Sequence, residues 1–76
     1  SLQECGDWKV RVILDRKTLV DDITRLAQVL AREKTYYTVS ASSREEALQK
    51  TEEYLQRYLG IGPAYVSAMH PRRLPT

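Results

Sequence analysis

Apolar and polar residues alternate along three segments of this chain, residues 8–15, 35–41 and 64–69. A two-residue period places successive side chains on opposite faces of an extended strand, so each segment predicts a β-strand. The face expected to be covered carries Trp8, Val10, Val12, Leu14, Tyr37, Val39, Ala41, Val66 and Ala68. The face expected to be open carries Lys9, Arg11, Ile13, Tyr36, Thr38, Ser40, Tyr65, Ser67 and Met69.

The segment between the first two strands has the period of an amphipathic helix. Its apolar stripe, expected to face the core, consists of Leu19, Val20, Ile23, Leu26, Ala27 and Leu30. Thr18 followed by Asp21 fits a variant of the capping box. Arg32 and Lys34 lie where positive charge suits the negative end of the helix dipole. We therefore predict one helix that begins after Thr18 and ends near residues 32–34.

A second helix is predicted between the second and third strands, where every local signal agrees. Its start is marked by either of two capping boxes, Ser43 with Glu46 or Ser42 with Glu45. In a capping box the hydroxyl and the carboxylate satisfy free backbone donors at the helix start. The apolar stripe of this helix consists of Ala47, Leu48, Thr51, Tyr54, Leu55, Tyr58 and Leu59. Gly60 stands where a left-handed residue ends a helix.

The order β-α-β-α-β predicts an α/β two-layer sandwich, a three-stranded sheet with two helices packed on one face. Because each link between strands contains a helix, we expect parallel strand pairing with right-handed crossovers. Residues 8–69 are expected to form this single domain, with residues 1–7 as a flexible lead-in and residues 70–76 as a mobile tail containing two prolines. The layout resembles that of small two-layer nucleic-acid modules such as Alba-like domains, although no sequence motif carries the resemblance.

Charge and composition narrow the classes of function. Twelve Lys and Arg residues against ten Asp and Glu residues give a net charge of +2, so only a clustered basic face would favour nucleic acid. No apolar run approaches the roughly 20 residues that span a bilayer, and we expect no membrane partner. Cys5 is the single cysteine, which excludes an internal disulfide and favours a reducing compartment, the cytoplasm.

No residue cluster in the sequence carries recognisable catalytic or metal chemistry. His70 is the only histidine and has no second ligand at a suitable spacing, and Cys5 has no nearby base. Gly60 and Gly62 follow a helix, whereas the glycines of a phosphate cradle precede one. We therefore expect a non-enzymatic protein without a metal or cofactor.

The open sheet face is the candidate site. It is expected to bring Lys9 and Arg11 beside Tyr36, Thr38 and Tyr65, and a basic pair in the tail, Arg72 and Arg73, could extend it together with Arg16 and Lys17. Such a face is compatible with a solvated surface, with a protein partner, or with nucleic acid held by phosphate contacts and base stacking. The first expectation is an interaction or assembly module, a homodimer or an adaptor for a larger protein. The alternative is an RNA or single-stranded DNA binder.

Overall fold

The computed structural model describes residues 5–75 of the chain, and it confirms the α/β class. A three-stranded sheet packs against helices in the order β-α-α-β-α-β. The strands are β1 (Gly6–Leu14), β2 (Tyr36–Ala41) and β3 (Val66–Arg73). The helices are α1 (Arg16–Val20), α2 (Ile23–Arg32) and α3 (Arg44–Tyr58), and a 3₁₀ turn (Pro63–Tyr65) precedes β3.

β1 is the central strand of the sheet, and both of its neighbours run antiparallel to it. The predicted parallel pairing is therefore wrong. The link between β1 and β2 reverses the chain at one end of the sheet, where the Val12 amide donates to the Thr35 carbonyl at 3.0 Å. β2 and β3 do run in the same direction and are joined by α3, but β1 lies between them. A connecting helix permits parallel strands without making them neighbours.

The first predicted helix is two helices, because two aspartates each begin a new one. The Asp15 carboxylate accepts hydrogen bonds from the backbone amides of Lys17 and Thr18 at 3.2 and 3.3 Å, which caps α1. The Asp22 carboxylate accepts from the Arg25 amide at 3.1 Å and caps α2. The predicted capping by Thr18 is wrong, since its hydroxyl donates to Asp15 at 2.9 Å instead.

This break divides the apolar stripe predicted for one helix. Leu19 of α1 and Val29 of α2 are fully buried, and Leu26 is half-buried against the same core. Four members of the predicted stripe are exposed instead: Ala27, and Val20, Ile23 and Leu30 at 58%, 77% and 56%. Val29, which is fully buried, was not among the residues predicted to face the core. The stripe cannot continue on one face when the helix that carries it is interrupted at Asp22.

α3 forms as the sequence predicts. The Ser43 hydroxyl accepts from the Glu46 amide at 3.2 Å, and the Glu46 carboxylate accepts from the Ser42 amide at 2.8 Å. At the other end Gly60 has a φ of 69°, the left-handed conformation that glycine adopts without strain. Ile61 then turns back into the core and is 1% exposed. The helix therefore begins and ends where its local chemistry requires.

The core lies between the covered side of the sheet and the helices. α3 contacts all three strands and contributes Ala47, Thr51 and Leu55 to it. Val10 of β1 and Ala41 of β2 are fully buried opposite the helix, as predicted. Fully burying a side chain of the size of Val10 stabilises a fold by about 1.5–3 kcal/mol. The position of α3 therefore decides which side of the sheet remains open.

β3 departs from its predicted limits at both ends. Tyr65 lies in the 3₁₀ turn, and the strand expected to stop at Met69 continues to Arg73. An irregularity in the pairing places Ala68 opposite Ile13 but Val66 opposite Leu14, so one extra residue lies between them. A bulge of this kind reverses the inward and outward positions beyond it. Val66 is inward as predicted, whereas Met69 also packs against the core and Ala68 takes the open side.

Candidate functional site

The side of the sheet opposite α3 forms the candidate site, which we call the open face. Residues directly paired across antiparallel strands project to the same side, so the register defines its members. They are Asp7, Lys9, Arg11, Ile13, Tyr36, Thr38, Ser40, Ala68, His70 and Arg72. The buried apolar residues of all three helices belong to the one core on the other side. Within residues 5–75, no helix covers the open face.

Three cationic side chains meet on the open face. Arg72 of β3 is paired directly with Lys9 of β1, and Arg11 lies two residues further along β1 on the same side. Among the described residues none of these three forms an ion pair with a carboxylate. Asp7 is the one acidic residue that the register places on this face. It is paired with Ser40, at the end of the face opposite to Arg11. These three cations therefore form a local positive patch on the open face.

Tyr36 supplies an aromatic ring beside these cations. Its side chain is 47% exposed, and the Lys9 ammonium lies 4.3 Å from the centre of its ring. Tyr36 is paired directly with Arg11, so Lys9 reaches it diagonally across the two strands. A cation at this distance from an aromatic ring is attracted by about 0.5–1 kcal/mol at an exposed site. The contact orients the ring next to the positive patch while leaving about half of it accessible.

A shallow groove of about 240 Å³ runs between these side chains. It is lined by Lys9, Arg11, Tyr36, His70, Pro71 and Arg72. Guanidinium and ammonium groups donate charge-assisted hydrogen bonds, and arginine presents a planar fork that matches phosphate or carboxylate. The groove can therefore hold an anionic group next to a flat ring, but it encloses no deep pocket for a small molecule.

Two predicted site residues lie away from the open face. Tyr65 belongs to the 3₁₀ turn, where its ring packs 5.2 Å from the Arg25 guanidinium. Arg73 is paired with Trp8 and therefore projects toward the helical side, beside Gly6. Arg16, which was expected to extend the basic edge, forms an ion pair with Glu33 at 2.8 Å, so its charge is paired. Lys9, Arg11, Tyr36, Thr38 and Arg72 are the predicted residues that the fold brings together.

Sequence reasoning missed three members of the open face, Asp7, Ala68 and His70, and of these only His70 lines the groove. It lies directly opposite Arg11, inside β3, in a segment that was predicted to be a tail. The available signal was the continued alternation of His70 and Arg72, which two nearby prolines obscured. Pro71 is tolerated because it lies in an edge strand, where a missing amide donor costs no ladder hydrogen bond if it faces outward.

A group of tyrosines occupies the helical side next to the free edge of β2. The rings of Tyr37 and Tyr54 are 5.4 Å apart, and those of Tyr54 and Tyr58 are 5.2 Å apart and nearly parallel. Burial raises the pKa of Tyr37 above its ordinary value of 10.0, and its hydroxyl accepts a hydrogen bond from the Lys34 amide at 3.1 Å. Tyr54 was expected in the core, but it is 38% exposed.

The described residues contain no group of three or more His, Cys, Asp or Glu side chains that could hold a metal ion. None of their helices is long and apolar enough to cross a membrane. Comparison of the chain with models of known protein families, with curated proteins and with solved structures finds no match.

Proposed function

We propose that this domain is a non-enzymatic binding module whose open face binds single-stranded nucleic acid, RNA or DNA. The observation that supports it is the convergence of Lys9, Arg11 and Arg72 beside the half-exposed ring of Tyr36. Single-strand binders combine a positive groove that follows the backbone with aromatic rings on which bases stack. The open face contains both components on one rigid sheet.

The spacing of the cations suits an extended polyanion. Alternate residues of a strand lie about 6.7 Å apart, which is the expected separation of Lys9 and Arg11 along β1. Arg72 lies beside Lys9 at the distance of a hydrogen-bonded strand pair, about 5.5 Å between Cα atoms. Three positive side chains within this area can contact neighbouring phosphates of one strand. A compact monovalent anion would engage only one or two of them.

The test is binding of labelled single-stranded RNA and DNA oligonucleotides, followed by fluorescence anisotropy across a salt series. If three phosphates are contacted, a plot of the logarithm of the association constant against the logarithm of the salt concentration should have a slope of about −2. Replacing Tyr36 with Leu should weaken binding by about 5-fold to 150-fold, which corresponds to the 1–3 kcal/mol of one stacked base. Absence of binding at low salt would refute the proposal.

A matched pair of variants separates the site from general charge. The first replaces Lys9, Arg11 and Arg72 with Gln. The second replaces three exposed cations outside the open face, Lys17, Arg44 and Arg57, with Gln, and so changes the net charge equally. The first variant should lose nearly all of the salt dependence, whereas the second should keep most of it. Equal losses would mean that binding is not located on the open face.

We also propose a protein partner as the second candidate function, and the exposed aliphatic side chains of α1 and α2 support it. Val20, Ile23 and Leu30 are all more than half exposed. Ile23 and Leu30 are separated by two turns of α2 and so share one side of it, and an exposed apolar surface is typical of an interaction site. The open face is now a weaker candidate for such a partner, because Met69 packs against the core. Replacing Ile23 and Leu30 with Gln should reduce binding of a different protein that covers α2, while nucleic-acid binding persists.

A cytoplasmic location is part of this proposal. Cys5 is exposed and is the only cysteine in the sequence, so its thiol has no partner for an internal disulfide. A free, accessible thiol suits a reducing compartment. Fractionation of the expressing cell, with antibody detection, would test this placement.

A further inference from the structure

We infer that two copies of this chain pair through the free edges of β2 and form one continuous six-stranded antiparallel sheet. The dimer is independent of the proposed nucleic-acid function, because it uses the edge of the sheet rather than its open face. The inference follows from three features of the sheet. The backbone groups of β2 that point away from β1 are free to pair, the opposite edge of the sheet is blocked, and the side chains along β2 are compatible with a second copy.

The first observation is the direction of the backbone groups in β2. In an antiparallel ladder, hydrogen-bonded and non-hydrogen-bonded residue pairs alternate. The bond from the Val12 amide to the Thr35 carbonyl marks one hydrogen-bonded pair, so Tyr37 and Val39 also point their backbone groups toward β1. Tyr36 and Thr38 then point their amide and carbonyl groups away from the sheet. No other described residue pairs with those groups.

The opposite edge of the sheet is blocked. The Leu74 amide donates to the Asp7 carbonyl at 2.9 Å, which fixes the phase of β3 by the same alternation. Met69, Pro71 and Arg73 are therefore the residues of β3 whose backbone groups point away from β1, toward the free edge. Pro71 has no amide hydrogen at the centre of this edge, a feature that prevents a further strand from pairing. β2 is the edge that can accept one.

The register of the pairing depends on which outward backbone groups of β2 already have a hydrogen-bond partner. The Lys50 ammonium donates to the Ser40 carbonyl at 2.6 Å, so one end of the β2 edge is closed. A two-fold axis through Tyr37 pairs Tyr36 of each copy with Thr38 of the other. Both are then hydrogen-bonded pairs, which gives four backbone hydrogen bonds and leaves the bond from Lys50 to Ser40 intact.

The side chains along β2 are compatible with a second copy. Residues 36–41 carry no charge, so the segments that pair do not repel each other, and the cations nearest this edge are Lys34 and Lys50 at its ends. A groove of about 280 Å³ already follows this edge and is lined by Lys34, Tyr36, Tyr37, Thr38, Val39 and Tyr54. The exposed ring of Tyr54 lies beside Tyr37, next to the two-fold axis. Pairing therefore brings the two Tyr54 rings together on the helical side.

The positive patches do not oppose this arrangement. Two β1 strands in the dimer are separated by three strand spacings, about 14 Å, which exceeds the Debye length of about 8 Å at physiological salt. Both open faces lie on the same side of the joined sheet. An interface of one short strand belongs to the small and weak class, so the association is expected at high protein concentration.

Amide hydrogen exchange of the unmodified protein at low and high concentration tests the pairing directly. The Tyr36 and Thr38 amides should exchange rapidly in the monomer and slow by about tenfold when most of the protein is dimeric. The Tyr37 and Val39 amides, which bond to β1, should be protected at both concentrations. A protein that stays monomeric at high concentration, or slowed exchange that omits Tyr36 and Thr38, would overturn the inference.

Two variants, followed by sedimentation, locate the interface. Thr38→Pro removes the outward amide donor and should abolish dimerisation, whereas Thr38→Ala keeps the donor and should preserve it. If Thr38→Pro does not fold, hydrogen exchange of the unmodified protein decides the question. The double variant Ile23→Gln/Leu30→Gln should still dimerise. Loss of the dimer in that variant, with Thr38→Pro unaffected, would assign the interface to α2 and refute the pairing through β2.

Discussion

At the scale of single residues, three side chains and one glycine determine where the helices begin and end. Asp15, Asp22 and Ser43 each accept hydrogen bonds from amides that a helix start leaves free. Gly60 adopts the positive φ that stops α3. These are interactions between residues only a few positions apart. Their effects can therefore be measured with single substitutions that leave the core unchanged.

Gly60→Ala is expected to lower the free energy of unfolding by about 1–2 kcal/mol, because a Cβ atom is strained in the left-handed conformation. Its φ is 69°, and no neighbouring atom lies within 4 Å of the added Cβ position, so the cost is conformational. Gly62→Ala is the control, since it has a negative φ and equally open surroundings. Urea unfolding should show little loss, or a small gain, for Gly62→Ala. Similar losses in both variants would contradict this account.

Asp15 and Asp22 predict how stability depends on acid. Hydrogen bonds from Thr18 lower the pKa of Asp15 below its ordinary value of 3.8. Hydrogen bonds from Arg25 do the same to the pKa of Asp22. A carboxylate with a lowered folded-state pKa contributes stability above its unfolded value, and this contribution disappears as the pH falls through the folded value. The double variant Asp15→Asn/Asp22→Asn should therefore lose less stability than the natural chain below pH 3.8.

Urea titrations at a series of pH values measure this difference, and Asn preserves a side-chain acceptor for each cap. Asp21→Asn serves as the control, because its carboxylate caps neither helix. The acid dependence of that variant should follow the natural chain. If all variants lose stability in parallel, the two caps are not the source of the acid dependence.

At the scale of elements, α2 has two apolar faces, and only one of them is covered. Val29 is fully buried, whereas Ile23 is 77% exposed. Val29→Ala is expected to lower the free energy of unfolding by about 1–3 kcal/mol, through lost burial and a residual cavity. Ile23→Ala should change it by no more than about 0.5 kcal/mol, as exposed substitutions usually do. Chemical denaturation of a dilute, monomeric sample would contradict this assignment if Ile23→Ala were the more damaging change.

The periodicity of this segment was visible in the sequence, but its division was not. Leu19, Leu26 and Val29 face the core. Val20, Ile23 and Leu30, which belong to the predicted stripe, are exposed. A second N-cap at Asp22 was the local signal for the break. The prediction did not use this signal, because the apolar pattern continues across Asp22. The exposed part of that pattern is the part that the proposed protein partner would cover.

β3 shows a different limit of sequence reasoning. Proline usually interrupts a strand, and Pro71 led to the prediction of a tail. The residue is acceptable only because its nitrogen faces away from β1 at an edge, which depends on the strand order. The bulge before Met69 also moves that side chain to the core side. Neither fact is contained in the local sequence, so the membership of the open face could be predicted for β1 and β2 only.

At the scale of the whole molecule, Arg25 joins three parts of the fold. Its side chain bonds to Asp22 at the start of α2 and to the Gly60 carbonyl after α3. Its guanidinium also packs 5.2 Å from the ring of Tyr65 in the 3₁₀ turn. These contacts connect α2 to the segment between α3 and β3. Residues far apart in sequence thus meet at one cation.

Arg25→Ala is expected to lower the free energy of unfolding by about 1.5–3 kcal/mol, the usual value for hydrogen bonds to charged groups. Arg32→Ala is the matched control, since its guanidinium makes one exposed hydrogen bond of 3.5 Å to the Tyr58 carbonyl. That variant should remain within about 0.5 kcal/mol of the natural chain. Equal stability of the two variants in urea would show that Arg25 does not join these elements.

The sequence by itself determined the α/β class, the inward face of β1 and β2, and both ends of α3. Each of these depends on periodicity or on hydrogen bonds between residues a few positions apart, such as Ser43 with Glu46. The tertiary structure alone decided that the strands pair antiparallel, that β1 is central, and that Arg72 lies beside Lys9. Those outcomes depend on contacts between residues that are distant in the chain, where the gain from packing and pairing exceeds local preference.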